Sequence, residues 1–367
     1  MPAAEEPEGE LRGEVVYLYA FDVANEIRLG RATELLSGRA APFAARPDRP
    51  TPRSAPVSQP LAVEPPTPTA RVNGGPARLL VRVYGVGVVS VTVRVAFTRD
   101  ALAALVPFHT PTLDDGRPLD GLAREQCDEM CRALGDALVR AGERTEPEAY
   151  TVFTLTHLGG ERDANRWLDD HQRGAAGLLT RTPGERLSAA QVADVLRLRR
   201  SFENTDLAVI DWDAALVVDI GGSADDVLFV LELANLQLEE LRCMDRALDG
   251  YLERAYADLA RPRWAPGGTA AVLRSLRELR VDLARLADEV TNSTKFVGDW
   301  HLARVYLLAR ERFHLDQWQA SVAQRLGELD RLYTTARGDL YDRRMLLLEV
   351  VIVVFFAVDL LILFFRK

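Results

Sequence analysis

The feature that most constrains this chain is its C-terminus, RRMLLLEVVIVVFFAVDLLILFFRK, residues 343–367. Of the 21 residues between Arg344 and Arg366, 19 are apolar, and the other two are Glu349 and Asp359. An α-helix of this length rises about 31 Å, which matches the ~30 Å hydrocarbon core of a bilayer. Because the run has no polar face and basic flanks, we expect a transmembrane tail anchor over residues 342–367. The alternative is a buried core helix.

Two carboxylates interrupt this run. Glu349 and Asp359 are ten residues apart, which separates them by about 80° around a helix. A carboxylate facing lipid is costly, so each is expected to be protonated, near an interface or turned toward a neighbouring helix. We interpret these membrane-embedded acids as marks of a helix–helix contact in a homo-oligomer. The alternative is that both acids are merely tolerated.

The N-terminus predicts on which side of a membrane the chain would lie. The stretch MPAAEEPEGELR is acidic and has no apolar core, so it is not a signal peptide. Nearly all of the 45 basic residues are Arg, which we interpret as the mark of a GC-rich bacterial genome. The sequence therefore predicts a single-pass protein of the cytoplasmic (inner) membrane of a bacterium. The bulk of the chain would be cytoplasmic, and the lipid bilayer would be one partner.

Composition limits the classes of function. The length of 367 residues is sufficient for two domains, and the net charge of −9 argues against dedicated nucleic-acid binding. The cysteines are Cys127, Cys131 and Cys243, an odd number that is typical of reduced thiols. Cys127 and Cys131 have helical i, i+4 spacing, but no histidine has ligand spacing with them, so core thiols are favoured. We predict neither a metal nor a cofactor.

The N-terminal half predicts an α+β domain. Strands are expected over residues 14–21, 78–97 (two strands), 150–157 and 206–219, and helices over 99–107, 119–142 and 188–200. Gly85-Val86-Gly87 has no third glycine and no following helix, which favours a turn over a nucleotide-binding loop. The expected division is an N-terminal strand region (1–39), an insert (40–77) and an α+β cytoplasmic domain (78–222).

The insert is rich in proline. Residues 40–77 contain ten of the nineteen prolines of the chain. Such a stretch lacks the apolar residues that offset chain entropy, so we expect it to be disordered or locally polyproline II.

A group of acids follows the α+β region and supports a rival hypothesis. The candidates for a Mg²⁺ site are Asp206, Asp211, Asp213, Asp225 and Asp226. They match no fixed metal motif, and turn or strand-edge acids are favoured. Convergence of at least three of them in one cleft would support an enzyme.

The C-terminal part predicts long helices over residues 223–341. A helix is expected over 224–260, a second over 269–291 and a third over 299–341. The second carries a seam of leucines at heptad spacing, formed by Leu276, Leu279, Leu283 and Leu286. The second and third helices are expected to form an antiparallel coiled-coil hairpin, a stalk that also supports self-association.

A family resemblance extends over both parts. Tyr84-Gly85-Val86-Gly87-Val88-Val89, then Phe296, Trp300, Leu302, Tyr306 and Arg312, and finally Leu348-Glu349 with Asp359 are the residues that carry it. In this order the chain resembles the required-for-meiotic-nuclear-division family of tail-anchored proteins. That family has no established catalytic residues, and the resemblance implies a membrane-attached oligomer.

These observations predict a non-enzymatic, tail-anchored scaffold. It would self-associate, hold an α+β domain at the membrane surface and recruit a protein partner of unknown identity. The fold class expected is α+β, with a β-rich N-terminal domain, a coiled-coil hairpin and one C-terminal transmembrane helix. The alternative is a Mg²⁺-dependent enzyme or nuclease that uses the acids between residues 206 and 226.

Overall fold

The fold is described from a computed structural model. This structure describes residues 9–42, 59–65, 70–142, 146–260, 277, 281, 284 and 300–365. Within these residues the chain has an α+β fold built on a large, mostly antiparallel sheet.

Ten strands form the large sheet. They are β1 (Leu11–Asp22), β3 (Ala40–Pro42), β4 (Leu61–Val63), β5 (Arg71–Val72), β6 (Gly75–Val83), β7 (Val88–Arg99), β9 (Glu148–Leu158), β10 (Arg199–Arg200), β11 (Asp206–Ile210) and β12 (Ala214–Asp219). Their order is β10-β11-β12-β9-β1-β7-β6-β4-β3, and β5 pairs with β6. Strands β12 and β9 pair in parallel. Two further strands, β2 (Ala24–Ile27) and β8 (Leu138–Ala141), form a small antiparallel pair.

The central strand β1 shows why the sheet is buried on both faces. It pairs along its whole length with β7, in a register that places Val15 opposite Val95 and Tyr17 opposite Val93. The odd-numbered residues of β1 from Val15 to Phe21 belong to the main hydrophobic core. The even-numbered Val16 and Leu18 are also buried, on the opposite face. Both faces therefore need a covering layer of helices.

Short helices cover the first face. They are α1 (Leu29–Leu35), α2 (Leu119–Leu134), α3 (Ala164–Asp170), α4 (Gln172–Leu179) and α5 (Ala189–Val195), with a 3₁₀ helix over Leu102–His109. Helix α2 contributes Leu119, Ala123, Cys127, Met130 and Cys131 to the core at helical spacing. The interpretation of Cys127 and Cys131 as core thiols is thus confirmed.

Long helices follow. Helix α6 spans Asp225–Ala260, α7 spans Trp300–Arg312 and α8 spans Leu315–Phe365. Residues Met1–Cys243 with Ala284–Trp318 form one compact unit, which contains the sheet. Residues Met244–Leu283 with Gln319–Lys367 form the second, in which Arg325 forms ion pairs with Asp245 and Asp249.

The predicted transmembrane helix is wrong. Among the helices of the part of the chain that the structure describes, none is long and apolar enough to cross a membrane. The C-terminal run is the end of the 51-residue helix α8. The tail anchor over residues 342–367, the single-pass topology and the location in the cytoplasmic membrane are corrected accordingly.

Other predicted elements differ in detail. The insert was expected to be disordered or locally polyproline II, but Leu61–Val63 pairs with β6 because its apolar residues continue the sheet. Residues 43–58 and 66–69 lie outside the described part. The predicted helix 119–142 ends at Leu134, and the chain continues into β8.

The predicted third helix is divided into α7 and α8 at His314, which has a positive φ of 53°. The seam leucines 276, 279, 283 and 286 lie outside the described residues, so the coiled-coil hairpin stays a prediction.

Candidate functional site

A pocket lies at one end of the large sheet, where β11 and β12 meet the first turns of α6 and α7. Its volume is about 240 Å³. It is lined by Phe202, Glu203, Thr205, Asp206, Leu207, Ala208, Val217, Val218, Asp219, Ser223, Asp226, Val227, His301 and Leu302. Apolar strand residues therefore form part of the lining, and most of its polar groups are carboxylates.

A histidine–aspartate pair is the most specific feature of this pocket. Asp206 begins β11, and its carboxylate accepts hydrogen bonds from the backbone N–H groups of Phe202, at 3.0 Å, and Glu203. His301 is the second residue of α7, and its Nε2 lies 3.3 Å from Oδ2 of Asp206. The backbone donors hold the carboxylate in place, so the carboxylate in turn orients the imidazole.

The surroundings of this pair are acidic and partly aromatic. Asp219 lies directly opposite Asp206 in the β11–β12 register, and Glu203 and Asp226 also line the pocket. The ring of Phe202 is 52 % exposed and lies 5.7 Å from that of His301. Chemically, an imidazole held by a carboxylate is suited to proton transfer. Among the described residues, no group of three or more His, Cys, Asp or Glu could hold a metal ion.

The structure separates the five acids that were candidates for a Mg²⁺ site. Asp206 and Asp226 line the pocket, but Asp225 binds Arg94 at 2.6 Å, and Asp211 lies 3.4 Å from Arg312. Asp213 is not part of the pocket lining either. Burial raises the pKa of Asp225, but hydrogen bonds involving Arg94 and Ser223 outweigh this, and the pKa lies below its ordinary value. Two of the five therefore share the pocket, fewer than the three that would have supported an enzyme.

Arg312, one of the family-like residues, joins three parts of the sheet unit. From the end of α7 its guanidinium donates to the carbonyl oxygen of Ile210 at 3.2 Å and to that of Asp194 at 3.0 Å. It also forms the ion pair with Asp211. Burial raises the pKa of Asp211, and Arg312 offsets part of this rise. The position of Arg312 indicates a structural role.

Four of the other family-like residues, Tyr84, Gly85, Gly87 and Tyr306, lie at structural contacts or in a turn. Tyr84 donates to Oε1 of Glu232 at 3.0 Å, and Tyr306 donates to Oε1 of Gln237 at 2.6 Å. Gly85 and Gly87 form the predicted turn between β6 and β7. A side chain at Gly87, where φ is +110°, would meet the carbonyl oxygen of Ala24 at 1.7 Å. Trp300 begins α7, and Leu348 is exposed on α8.

A second candidate site is the stretch of α8 over residues 345–358, here called the apolar segment. Fifteen large hydrophobic side chains are exposed in the described part of the chain, and eleven of them lie in this segment. They are Met345, Leu346, Leu348, Val350, Val351, Ile352, Val353, Val354, Phe355, Phe356 and Val358, with exposures between 41 % and 72 %. Glu349 is exposed among them, and the side chain of Asp359 lies outside the described residues.

Sequence reasoning found the apolar segment but missed the pair of His301 and Asp206. Asp206 was considered as a metal ligand or as a turn or strand-edge acid, and His301 had no spacing that indicates a site. These residues are 95 positions apart in the sequence. Only the packing of α7 against β11 brings them together, and no local pattern could have revealed that contact.

Comparison with known proteins shows where this chain belongs. A family model described as "Uncharacterized protein MJ0711, N-terminal domain" matches residues 12–224, from β1 to the residue before α6. The chain is 22 % identical over 218 residues to "Uncharacterized protein MJ0711" of Methanocaldococcus jannaschii. That alignment covers 59 % of this chain and 65 % of the relative. No solved structure matches the chain.

These comparisons do not bear on the resemblance to the required-for-meiotic-nuclear-division family, which stays a prediction. The family match does cover more than half of the chain, including all of the large sheet except Leu11. The chain therefore belongs to the family described as "Uncharacterized protein MJ0711, N-terminal domain".

Proposed function

We propose that this protein is a non-enzymatic scaffold that assembles with further copies of itself through the apolar segment, residues 345–358. The assembly holds several copies of the α+β domain together and presents them to a partner. The observation that supports this proposal is the concentration of exposed large hydrophobic side chains in one stretch of α8.

The size of this apolar surface argues for association. Apolar patches beyond about 300–600 Å² are uncommon on monomeric proteins and mark interaction sites. Eleven large side chains that are each more than 40 % exposed make a surface on the order of 1,000 Å², and a standard interface buries about 800 Å² on each partner. Burying this surface removes apolar area from water, which is the main driving force of most protein association.

A second copy of the chain is the occupant that fits best. The four remaining exposed large hydrophobics of the described residues, Phe202, Trp212, Val281 and Leu307, are widely separated in the sequence. The described part of the chain thus has no second apolar stretch of matching size that could cover the segment. Another copy always supplies an identical apolar helix.

Sedimentation velocity tests the proposal. The full-length chain is expected to sediment as an oligomer, and a chain that ends at Tyr341 is expected to sediment with a lower mass. Circular dichroism and thermal unfolding of both chains provide the control, because the sheet unit should unfold at the same temperature in each. A full-length chain that stays monomeric at every concentration would contradict the proposed function.

A further inference from the structure

We infer that each copy contacts at least two other copies through opposite sides of the apolar segment, so that the assembly contains three or more chains. This inference rests on the proposed function and specifies the arrangement of its contacts.

The exposed residues lie on opposite sides of the helix. Successive residues are about 100° apart, so residues i and i+2 are separated by about 160° around the axis. Val351 and Val353 are such a pair, with exposures of 41 % and 62 %. Val354 and Phe356 form a second pair, with exposures of 55 % and 71 %. Both sides of the segment are therefore apolar and uncovered.

A contact with one partner helix would leave half of this surface in water. Helices that pair through one seam carry an apolar stripe on one side and polar residues on the other. The segment does not have this pattern, because Glu349 is the one charged residue between Met345 and Val358. Covering both sides of one helix takes at least two neighbours.

The symmetry of the contact also indicates an assembly of three or more chains. If one side of a helix meets a different side of the next, the contact is heterologous, and such contacts generate rings or open arrays. A two-chain assembly with an isologous contact uses one side of each helix and leaves the second side exposed. The two-sided apolar surface thus favours a ring or array over a dimer.

Matched substitutions on the two sides test this arrangement in the full-length chain. Val351→Asp and Val353→Asp each introduce the same charge, on opposite sides of the segment. Burying an unpaired charge is costly, so each variant is expected to raise the concentration for half-assembly by about tenfold or more. Leu307→Asp is the control, because Leu307 is 55 % exposed on α7, outside the segment, and this variant should assemble like the wild type. Sedimentation velocity over a concentration series provides the measurement.

The outcomes separate this inference from the proposed function. A wild-type mass of three or more chains, with both valine variants weakened, supports the two-sided contact. A wild-type dimer, or weakening by only one valine variant, overturns the inference and leaves self-association in place. A wild type that assembles but is insensitive to both changes, or one that stays monomeric, overturns both proposals. Equal thermal unfolding of all variants verifies that each change acts on assembly and not on folding.

Discussion

At the scale of single residues, Arg312 connects elements that are far apart in the sequence. Its side chain is 13 % exposed, and it reaches the carbonyl oxygens of Ile210, Asp194 and Val195 as well as the carboxylate of Asp211. Among side chains, only a guanidinium has enough N–H donors in a fixed plane to reach three carbonyl oxygens and a carboxylate. This single residue therefore attaches the end of α7 to both β11 and α5.

Replacement of Arg312 is expected to destabilise the protein in a pH-dependent way. Arg312→Ala leaves the buried carboxylate of Asp211 without this partner and should lower the free energy of unfolding by about 3–5 kcal/mol near neutral pH. Arg312→Lys should restore only part of the loss, because an ammonium group cannot reach all of these acceptors.

The sign of the pH effect follows from the pKa of Asp211. Burial raises this pKa above its ordinary value, and the positive charge of Arg312 opposes the rise. Replacing Arg312 by Ala removes that opposing charge. The ionised carboxylate is costly above the folded-state pKa, and this cost disappears as the pH falls and the carboxyl group protonates. Urea unfolding should therefore give a smaller difference between wild type and Arg312→Ala at about pH 4.5 than at about pH 7. An equal difference at both pH values would contradict this account.

At the scale of elements, α6 is buried against the sheet through charged groups as well as apolar ones. Glu232 is 1 % exposed and forms a buried ion pair with Arg82 of β6, and Tyr84 donates to the same carboxylate. The side-chain amide of Asn235 donates to the backbone oxygen of Glu148 at 3.0 Å. Such directional contacts specify which turn of α6 lies over which strand, because an apolar face alone would allow small shifts along the helix.

Glu232 provides the test of this contact between α6 and the sheet. Glu232→Ala leaves the charge of Arg82 buried without this carboxylate and should cost about 3–5 kcal/mol of unfolding free energy. Tyr84→Phe removes one hydrogen bond and should cost about 1 kcal/mol. The double change Arg82→Leu with Glu232→Leu should cost less than Glu232→Ala, because the buried charge of Arg82 is removed together with that of Glu232. Chemical unfolding measures all three, and a double variant that is the least stable of them would show that the pair contributes more than it costs to bury.

At the scale of the whole molecule, the family match ends before α6 and α7, the helices that cover the second face of the large sheet. The match ends at residue 224, whereas α6 begins at Asp225. Helices α6 and α7 therefore cover the second face of a family domain with residues from outside the match. Buried residues of that face include Val16, Leu18 and Val217.

Residues 1–224 alone are expected to be insufficient for a stable fold. Without α6 and α7 the even-numbered side chains of β1 and their neighbours would face water, and an exposed apolar sheet surface promotes aggregation. Size-exclusion chromatography of this fragment should therefore give aggregated material. A chain that ends at Tyr341 is the control and retains the sheet unit. A monodisperse fragment with cooperative unfolding would contradict the expectation.

Several local features were predictable because their causes lie within a few residues. Strands were predicted at the places where β1, β6, β7 and β9 lie, for β6 and β7 from alternating apolar residues, and the structure has them. Serine is a favoured N-cap residue, and the hydroxyl of Ser188, just before α5, accepts a hydrogen bond from the N–H of Gln191 at 3.1 Å. Gly85 and Gly87 were expected to form a turn between two strands, which is confirmed.

The sequence by itself determined the strand periods, the helix caps, the turn and the apolar character of residues 345–358, since these depend on neighbouring residues. Tertiary structure decided what each element contacts. The approach of Ala24 to Gly87, the pair of His301 with Asp206 and the separation of the five acids all join residues distant in the sequence. The same limit explains the error at the C-terminus, because apolar composition predicts that a helix will leave water but does not specify which surface will cover it.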